Sequence, residues 1–268
     1  MDHRFHRRRI EVRRQEGRRR FRVLLGITAV TALGCGAWAA TDSVLLDLDR
    51  MVVEGAARTS PGDARNAAGL REGQPMLDVD EGAARRGLEA LPWVKEATVD
   101  REWPGRVRIR LVEREPVAVA PAASGAALLD STGRVLEWVD TAPPELPRLA
   151  GLPPAGPPGT VLDAAGVATL QVAVALPAEL AARTADLAPA VGARGEVELR
   201  LNSEARLNSE AVVRLGPPED LDRKFTAIRA VLAQVDLHNL AVLDVRRPDS
   251  PVLTRQETAG KVSTPRVG

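Results

Sequence analysis

The sequence predicts an α+β protein: one membrane-spanning helix, then a small domain of strand, helix, helix, strand and strand, then a mixed β-sheet domain with flanking helices. Three observations predict it. An arginine block runs directly into the chain's only long apolar stretch. Period-two and period-3.6 apolar patterns then alternate up to about residue 115. Beyond that, short strand signals surround two helical stripes.

Residues 1–22 form a basic tail with ten arginines, opposed only by Asp2, Glu11 and Glu16. Val23 to Thr41 carries no charge. A helix of that length spans roughly 28 Å, close to the ~30 Å hydrocarbon core of a bilayer. Asp42, Asp47 and Asp49 follow at once. Positive charge before the span and negative charge after it predict a cytoplasmic N-terminus, with everything beyond Thr41 outside the cytoplasm. Three other readings fit less well. Ala37-Trp38-Ala39 resembles a signal-peptidase site, but the charged region is long and the apolar run exceeds an ordinary signal core. Arg18-Arg19-Arg20-Phe21 fits a twin-arginine pattern that any arginine-rich stretch can match. Cys35 as a lipidation site is poorly framed by Ala32-Leu33-Gly34 and sits deep in the run. The tail has little aromatic interleaving, so contact with anionic headgroups is a simpler account of its charge than nucleic-acid binding.

Formal net charge is +1, so no global field steers ligands. Cys35 is the only cysteine and lies inside the predicted span, which excludes disulfides and cysteine metal sites outside the membrane. Lysine occurs only at Lys95, Lys224 and Lys261, and tyrosine is absent; with abundant Ala, Gly and Pro, this composition suggests a GC-rich bacterial source.

The elements follow in order. Leu46 to Val53 reads as a strand ending at Gly55. Ser60-Pro61-Gly62-Asp63 supplies an N-cap, a first-turn proline and an acid for a helix running to about Ala68 and stopping at Gly69. Asp78 or Asp80 caps a second helix through Leu91, with Ala83, Ala84, Leu88 and Leu91 on one face and Pro92 ending it. Val94 to Asp100 is a strand, and Trp103-Pro104-Gly105 a turn. Val107, Ile109 and Leu111 then alternate with Arg106, Arg108 and Arg110, giving one buried face and one wet, basic face. A solvated arginine face is the ordinary reading, and a partner-facing one the minority reading.

These residues carry a resemblance. Val53-Glu54-Gly55, Gly73-Gln74-Pro75-Met76-Leu77-Asp78-Val79-Asp80, Leu91-Pro92-Trp93-Val94, Trp103-Pro104 and Val112-Glu113-Arg114-Glu115-Pro116-Val117-Ala118 together resemble the POTRA domain of the FtsQ (DivIB) family of bacterial division proteins. The order of basic tail, anchor, POTRA and β domain is similar to that family throughout. The resemblance implies a POTRA domain over 44–115 and an FtsQ-type β domain over 116–255, and the residues over 256–268 themselves read as a disordered tail. The resemblance further implies a non-enzymatic scaffold with no cofactor. Such a scaffold sits in the plasma membrane at the septum and binds FtsB/DivIC-like and FtsL-like bitopic proteins to help control septal peptidoglycan synthesis. The alternative is a POTRA-bearing export or envelope-assembly scaffold, which shares the domain but not the Glu113-Arg114-Glu115-Pro116 junction. Leu91-Pro92-Trp93-Val94 and Trp103-Pro104-Gly105 read as fold-specifying residues.

In the second domain, Val117–Val119, Ala127–Leu129 and Val135–Trp138 read as strands, with a turn at Asp130-Ser131-Thr132-Gly133. An ordered Pro/Gly-rich loop over 141–159 is expected around Leu146-Pro147-Arg148-Leu149. Val167, Leu170 and Val174 predict a helix over 164–176; Leu221, Phe225, Ile228, Leu232 and Val235 predict another. Arg200-Leu201-Asn202-Ser203-Glu204-Ala205 repeats at once as Arg206 to Ala211, inside a hairpin that it should lengthen without function. Leu240 to Val245 is a strand, and Val252 to Arg255 a last, edge one, because Pro248 and Pro251 lack backbone donors.

No catalytic constellation is legible. His238 is the only histidine beyond the tail and has no glycine-flanked nucleophile to serve, and no HExxH, Walker or GxGxxG pattern occurs in the required context. A secreted hydrolase of unknown type is the remaining enzymatic alternative. The resemblance implies that the partner adds a strand at the edge ending the β domain, where Leu243-Asp244-Val245-Arg246-Arg247 is similar to the family's strand ending. The candidate partner-binding residues are Arg246, Arg247, Val252, Leu253 and Thr254, the two arginines as clamps on acidic side chains. Proline and charge that merely protect an edge from aggregation are the bland reading.

Overall fold

The computed structural model describes residues 24–35, 46–192, 195–202, 211–234 and 240–255. The basic tail, both ends of the predicted span, His238, Val235, the tail 256–268 and most of the RLNSEA repeat lie outside them. Helix α1 covers 24–35 and is exposed throughout. At ~1.5 Å per residue it measures about 18 Å. Among the described residues no helix is long and apolar enough to cross a membrane. The predicted span over 23–41 is thus helical in its described part and short of a crossing there.

Two compact units follow, Met1–Glu89 with Glu96–Val112 and Ala90–Lys95 with Glu113–Gly268. In the first, β1 (Arg50–Glu54), α2 (Pro61–Ala68), α3 (Glu81–Ala90), β2 (Val94–Glu102) and β3 (Arg106–Glu113) form a three-stranded sheet of order β1-β3-β2 with two helices. The expected order of elements is observed. β1 and β3 run parallel, with Met51 opposite Val107 and Val53 opposite Ile109. The Ser60 hydroxyl accepts the N–H of Asp63 at 3.0 Å, and the Asp80 carboxylate accepts that of Ala83 at 2.9 Å. These bonds satisfy orphan donors at the two helix starts. Gly87 lets α3 close on α2, since a Cβ there would stand 2.0 Å from the Ala67 carbonyl oxygen. Met51, Met76, Leu88, Val107, Ile109 and Leu111 are buried.

The arginines of β3 alternate outward as expected. Arg108 bonds Glu102 at 2.6 Å and Glu54 at 2.8 Å, and Arg110 pairs with Asp100. Their partners lie on the same sheet, so this wet face is a lattice of opposite charges and not a free basic surface.

The second unit contains β4 (Ala118–Pro121), β5 (Ala126–Leu129), β6 (Val135–Val139), α4 (Ala164–Ala175), α5 (Ala178–Ala181), β7 (Thr184–Pro189), β8 (Val197–Leu201), β9 (Val212–Gly216), α6 (Leu221–Gln234), β10 (Leu240–Asp244) and β11 (Val252–Arg255). β4, β5 and β6 form one antiparallel sheet; a second has the order β11-β10-β9-β8-β7. The expected ordered loop joins them. On one side the Leu149 N–H donates to Val119 at 2.7 Å and the Val119 N–H to Pro147 at 3.0 Å. On the other, Ala150 donates to Leu187 at 2.6 Å and Leu187 to Arg148 at 2.9 Å. Backbone pairing therefore runs without interruption from β6 to β11.

α6 carries the chain from β9 to the parallel β10 and buries Phe225, Ile228 and Leu232. Each such side chain contributes roughly 1.5–3 kcal/mol on leaving water. α4 corrects an expectation. Leu170 is buried, but so are Gly166, Thr169 and Ala173, while Val174 is 51% exposed. The helix contains no charged residue, so its apolar spacing could not say which side faces the core. The hairpin around the repeat is closed by the N–H of Leu201 donating to Ala211 at 2.9 Å. β8 ends and β9 begins there, and the expected lengthening of the hairpin lies outside the described residues.

The candidate partner-binding edge

The two ends of the paired strands finish differently. Beyond β6, Gly159 donates to Val135 and Val135 to Thr160, both at 2.8 Å, Leu162 donates to Gly133 at 2.9 Å, and the Trp138 indole donates to Gly156 at 3.0 Å. A proline- and glycine-rich strap thus occupies that edge. Its base is the Asp130 turn. There one carboxylate oxygen accepts from the N–H of Thr132, its hydroxyl and the N–H of Arg134 at 2.7–2.9 Å. The other oxygen accepts from Arg114 at 2.6 Å. Burial pushes the Asp130 carboxyl up, but bonds from Thr132, Arg134 and Arg114 outweigh it and hold the group below the usual carboxylate range. Arg114, from the Glu113-Arg114-Glu115-Pro116 junction, also donates to the Val94 carbonyl at 3.1 Å.

At the other end lies β11, paired with β10 in the register Asp244 to Val252, Leu243 to Leu253 and Val242 to Thr254. Leu253 packs against the core, while Val252 and Thr254 point to the opposite face and are exposed. No other strand pairs with β11 among the described residues.

Arg246 and Arg247 part company. Arg246 donates through Nε to both oxygens of Asp244, at 3.1 and 3.0 Å, and through Nη2 at 2.6 Å. Its Nη1 lies 3.9 Å from Glu196. The guanidinium holds the Asp244 carboxyl below the usual range, and the carboxylate raises the arginine in turn. The arginine stem runs over Gly216, where an added Cβ would stand 3.0 Å from its Cγ and where φ is +73. Arg246, expected as an acid clamp, is thus already paired with Asp244 of its own chain, while its side chain stays 48% exposed. Arg247 is exposed and makes no ion pair among the described residues, and its carbonyl accepts from Ser250 at 3.1 Å in the turn to β11. Asp244, Gly216 and Glu196 were missed as members of this corner. The Asp-Val-Arg spacing carried the signal, because residues two apart on extended backbone share a face.

No group of three or more His, Cys, Asp or Glu able to hold a metal occurs among the described residues. A cleft of about 250 Å³ lined by Leu146, Arg148, Leu176, Thr184 and Leu187 offers one hydroxyl. That hydroxyl, of Thr184, already donates to Leu180 at 2.8 Å.

Comparison with known proteins agrees with this architecture. Residues 46–114 match the POTRA domain of FtsQ type, and residues 118–246 match the C-terminal domain of cell division protein FtsQ/DivIB. The chain is 34% identical over 108 residues to cell division protein FtsQ of Corynebacterium glutamicum, covering 40% of this chain and 47% of that one, so the match spans about half of that relative. It is 31% identical over 221 residues to FtsQ of Streptomyces venezuelae, covering 81% and 71%. Against FtsQ of Rhodothermus marinus it is 31% identical over 254 residues, covering 91% and 90%. A POTRA domain followed by this β domain defines a class of bacterial division protein. The chain belongs to the FtsQ/DivIB family.

Proposed function

We propose that the chain is a non-enzymatic scaffold of the division machinery, held in the plasma membrane by Val23–Thr41 with its N-terminus in the cytoplasm. Outside the cytoplasm it binds FtsB/DivIC-like and FtsL-like bitopic partners and helps control septal peptidoglycan synthesis. One observation carries the binding mode: among the described residues β11 ends the paired strands and no strand pairs with its outer side, while the opposite edge is strapped. An open edge presents backbone N–H and C=O groups that an extended partner segment can pair with, and alternate side chains then set specificity. Val252 and Thr254 face the incoming strand's side chains on one face, Leu253 continues the core on the other, and Arg247 meets acidic residues at the rim. Arg246 acts through position, fixing the corner from which the hairpin turns.

The test in cells is localisation with depletion. A tagged chain forms a midcell band, and its loss produces filaments or unseparated chains. Uniform membrane staining with normal division after deletion contradicts the reading. In vitro, an FtsB-like peptide binds the full chain and fails to bind a chain truncated at Pro248. Equal affinity for both places the partner elsewhere.

A further inference from the structure

Two of the largest exposed apolar side chains of the first unit lie at the same end, beside the point where the chain reaches β1. Trp103 is 52% exposed on the turn between β2 and β3, and Leu77 is 54% exposed just past Pro75. Both loops bond directly to the first residues of the domain. The Gly105 carbonyl accepts from Asp49 at 2.8 Å and from Arg50 at 3.1 Å. On the other side, Leu48 donates to Gln74 and Gly73 to Leu48, both at 2.8 Å, and Asp47 bridges Pro75. Because β1 and β3 are parallel and Arg50 lies opposite Arg106, the Trp103 turn and the start of β1 share one end of the sheet.

We infer that this end rests on the bilayer, with the Trp103 indole and the Leu77 side chain in the headgroup zone of the membrane from which the chain emerges. The inference rests on the reading of Val23–Thr41 as the anchor. From Thr41 to Asp47 the backbone reaches at most about 20 Å. The headgroup zone itself adds roughly 5–8 Å on each side of the hydrocarbon core, so the tether keeps these loops near lipid. Indole favours that zone because its body is apolar while its N–H still bonds water or phosphate. Arg50 and Arg106, both exposed, flank the turn and can meet lipid phosphates, but Asp47, Asp49 and Glu102 lie at the same end. Net charge does not drive the contact; the two apolar side chains do. The occupant is the lipid interface, and its effect is to fix how the domain stands on the membrane.

The experiment uses the full chain in phosphatidylcholine–phosphatidylglycerol nanodiscs, with and without lipids brominated high on the acyl chain. The four tryptophans are Trp38, Trp93, Trp103 and Trp138, so the contribution of Trp103 is taken as the difference between wild type and Trp103→Phe. Brominated lipid removes that difference emission, which lies at shorter wavelength than emission from water-exposed indole. Leu77→Trp added to Trp103→Phe restores a component that brominated lipid also quenches. Alkaline carbonate extraction of the same chain from vesicles separates the two readings. Retention with an unquenched Trp103 difference overturns the tip contact alone, whereas release from the vesicles overturns the anchor and the contact together.

Discussion

The β6 end and the β11 end of the second unit are built from the same materials, short strands joined by proline-bearing segments, yet among the described residues one is closed and the other open. At β6 the prolines belong to a strap whose backbone turns back and occupies the edge. At β11 Pro248 and Pro251 lie in the turn before the strand, so the strand keeps its own donors. Proline in the covering segment closes an edge; proline in the approach leaves it open. The arginines divide the same way. Arg114 is half-buried and paired with Asp130, Arg246 is exposed and paired with Asp244, and Arg247 is exposed with no ion pair among the described residues.

The largest effect should come from breaking the closed end at its base. Asp130 is buried and satisfies three donors of its own turn as well as Arg114. Asp130→Ala leaves the half-buried Arg114 guanidinium with the Val94 carbonyl alone, orphans the donors of the turn, and should cost about 3 kcal/mol in urea unfolding. A loss under about 1 kcal/mol would show that the strap does not depend on this turn. The same group sets an acid limit. Its folded pKa is depressed, so its contribution is complete above the unfolded value of about 3.9 and is lost as pH falls through the folded one. Asp130→Asn should be less stable than wild type at pH 7 and should lose less stability than wild type on going to strongly acidic solution.

A middling effect is expected at the corner that sets up the open end. Gly216→Ala places a Cβ at a left-handed backbone position and against the Arg246 stem, and should cost about 1–2 kcal/mol of stability. Equal thermal midpoints for Gly216→Ala and wild type would mean that Arg246 moves aside freely.

The smallest effect separates the two arginines. Arg247→Glu should slow association of an FtsB-like peptide and reduce the salt dependence of its on-rate while leaving the melting temperature unchanged. Arg246→Ala should lower the melting temperature by releasing Asp244. If instead Arg246→Ala leaves stability intact and abolishes binding, Arg246 is a direct contact.

Much of the first unit was legible because its signals are local. Ser60 and Asp80 announce helix starts, and Val107, Ile109 and Leu111 alternate cleanly with arginine. β7 and the joining segment at Leu149 were not legible as strands. Thr184–Pro189 has neither alternation nor a run of β-branched residues, and its strand character comes from neighbours on both sides. The site was half legible. Proline placement marked β11 as an edge strand and the Asp-Val-Arg spacing marked the Asp244–Arg246 pair, whereas the seating of the Arg246 stem on Gly216 depends on how tightly the turn after β10 folds back. No sequence pattern fixes that turn in advance.

Amide hydrogen exchange at Val252–Arg255 tests the central claim most directly, read in the full chain in nanodiscs with and without an FtsB-like partner. Strand addition predicts that these amides exchange quickly in the free chain and become protected in the complex, with the β6 edge unchanged. A complex that forms at the same affinity while Val252–Arg255 stay unprotected would contradict it.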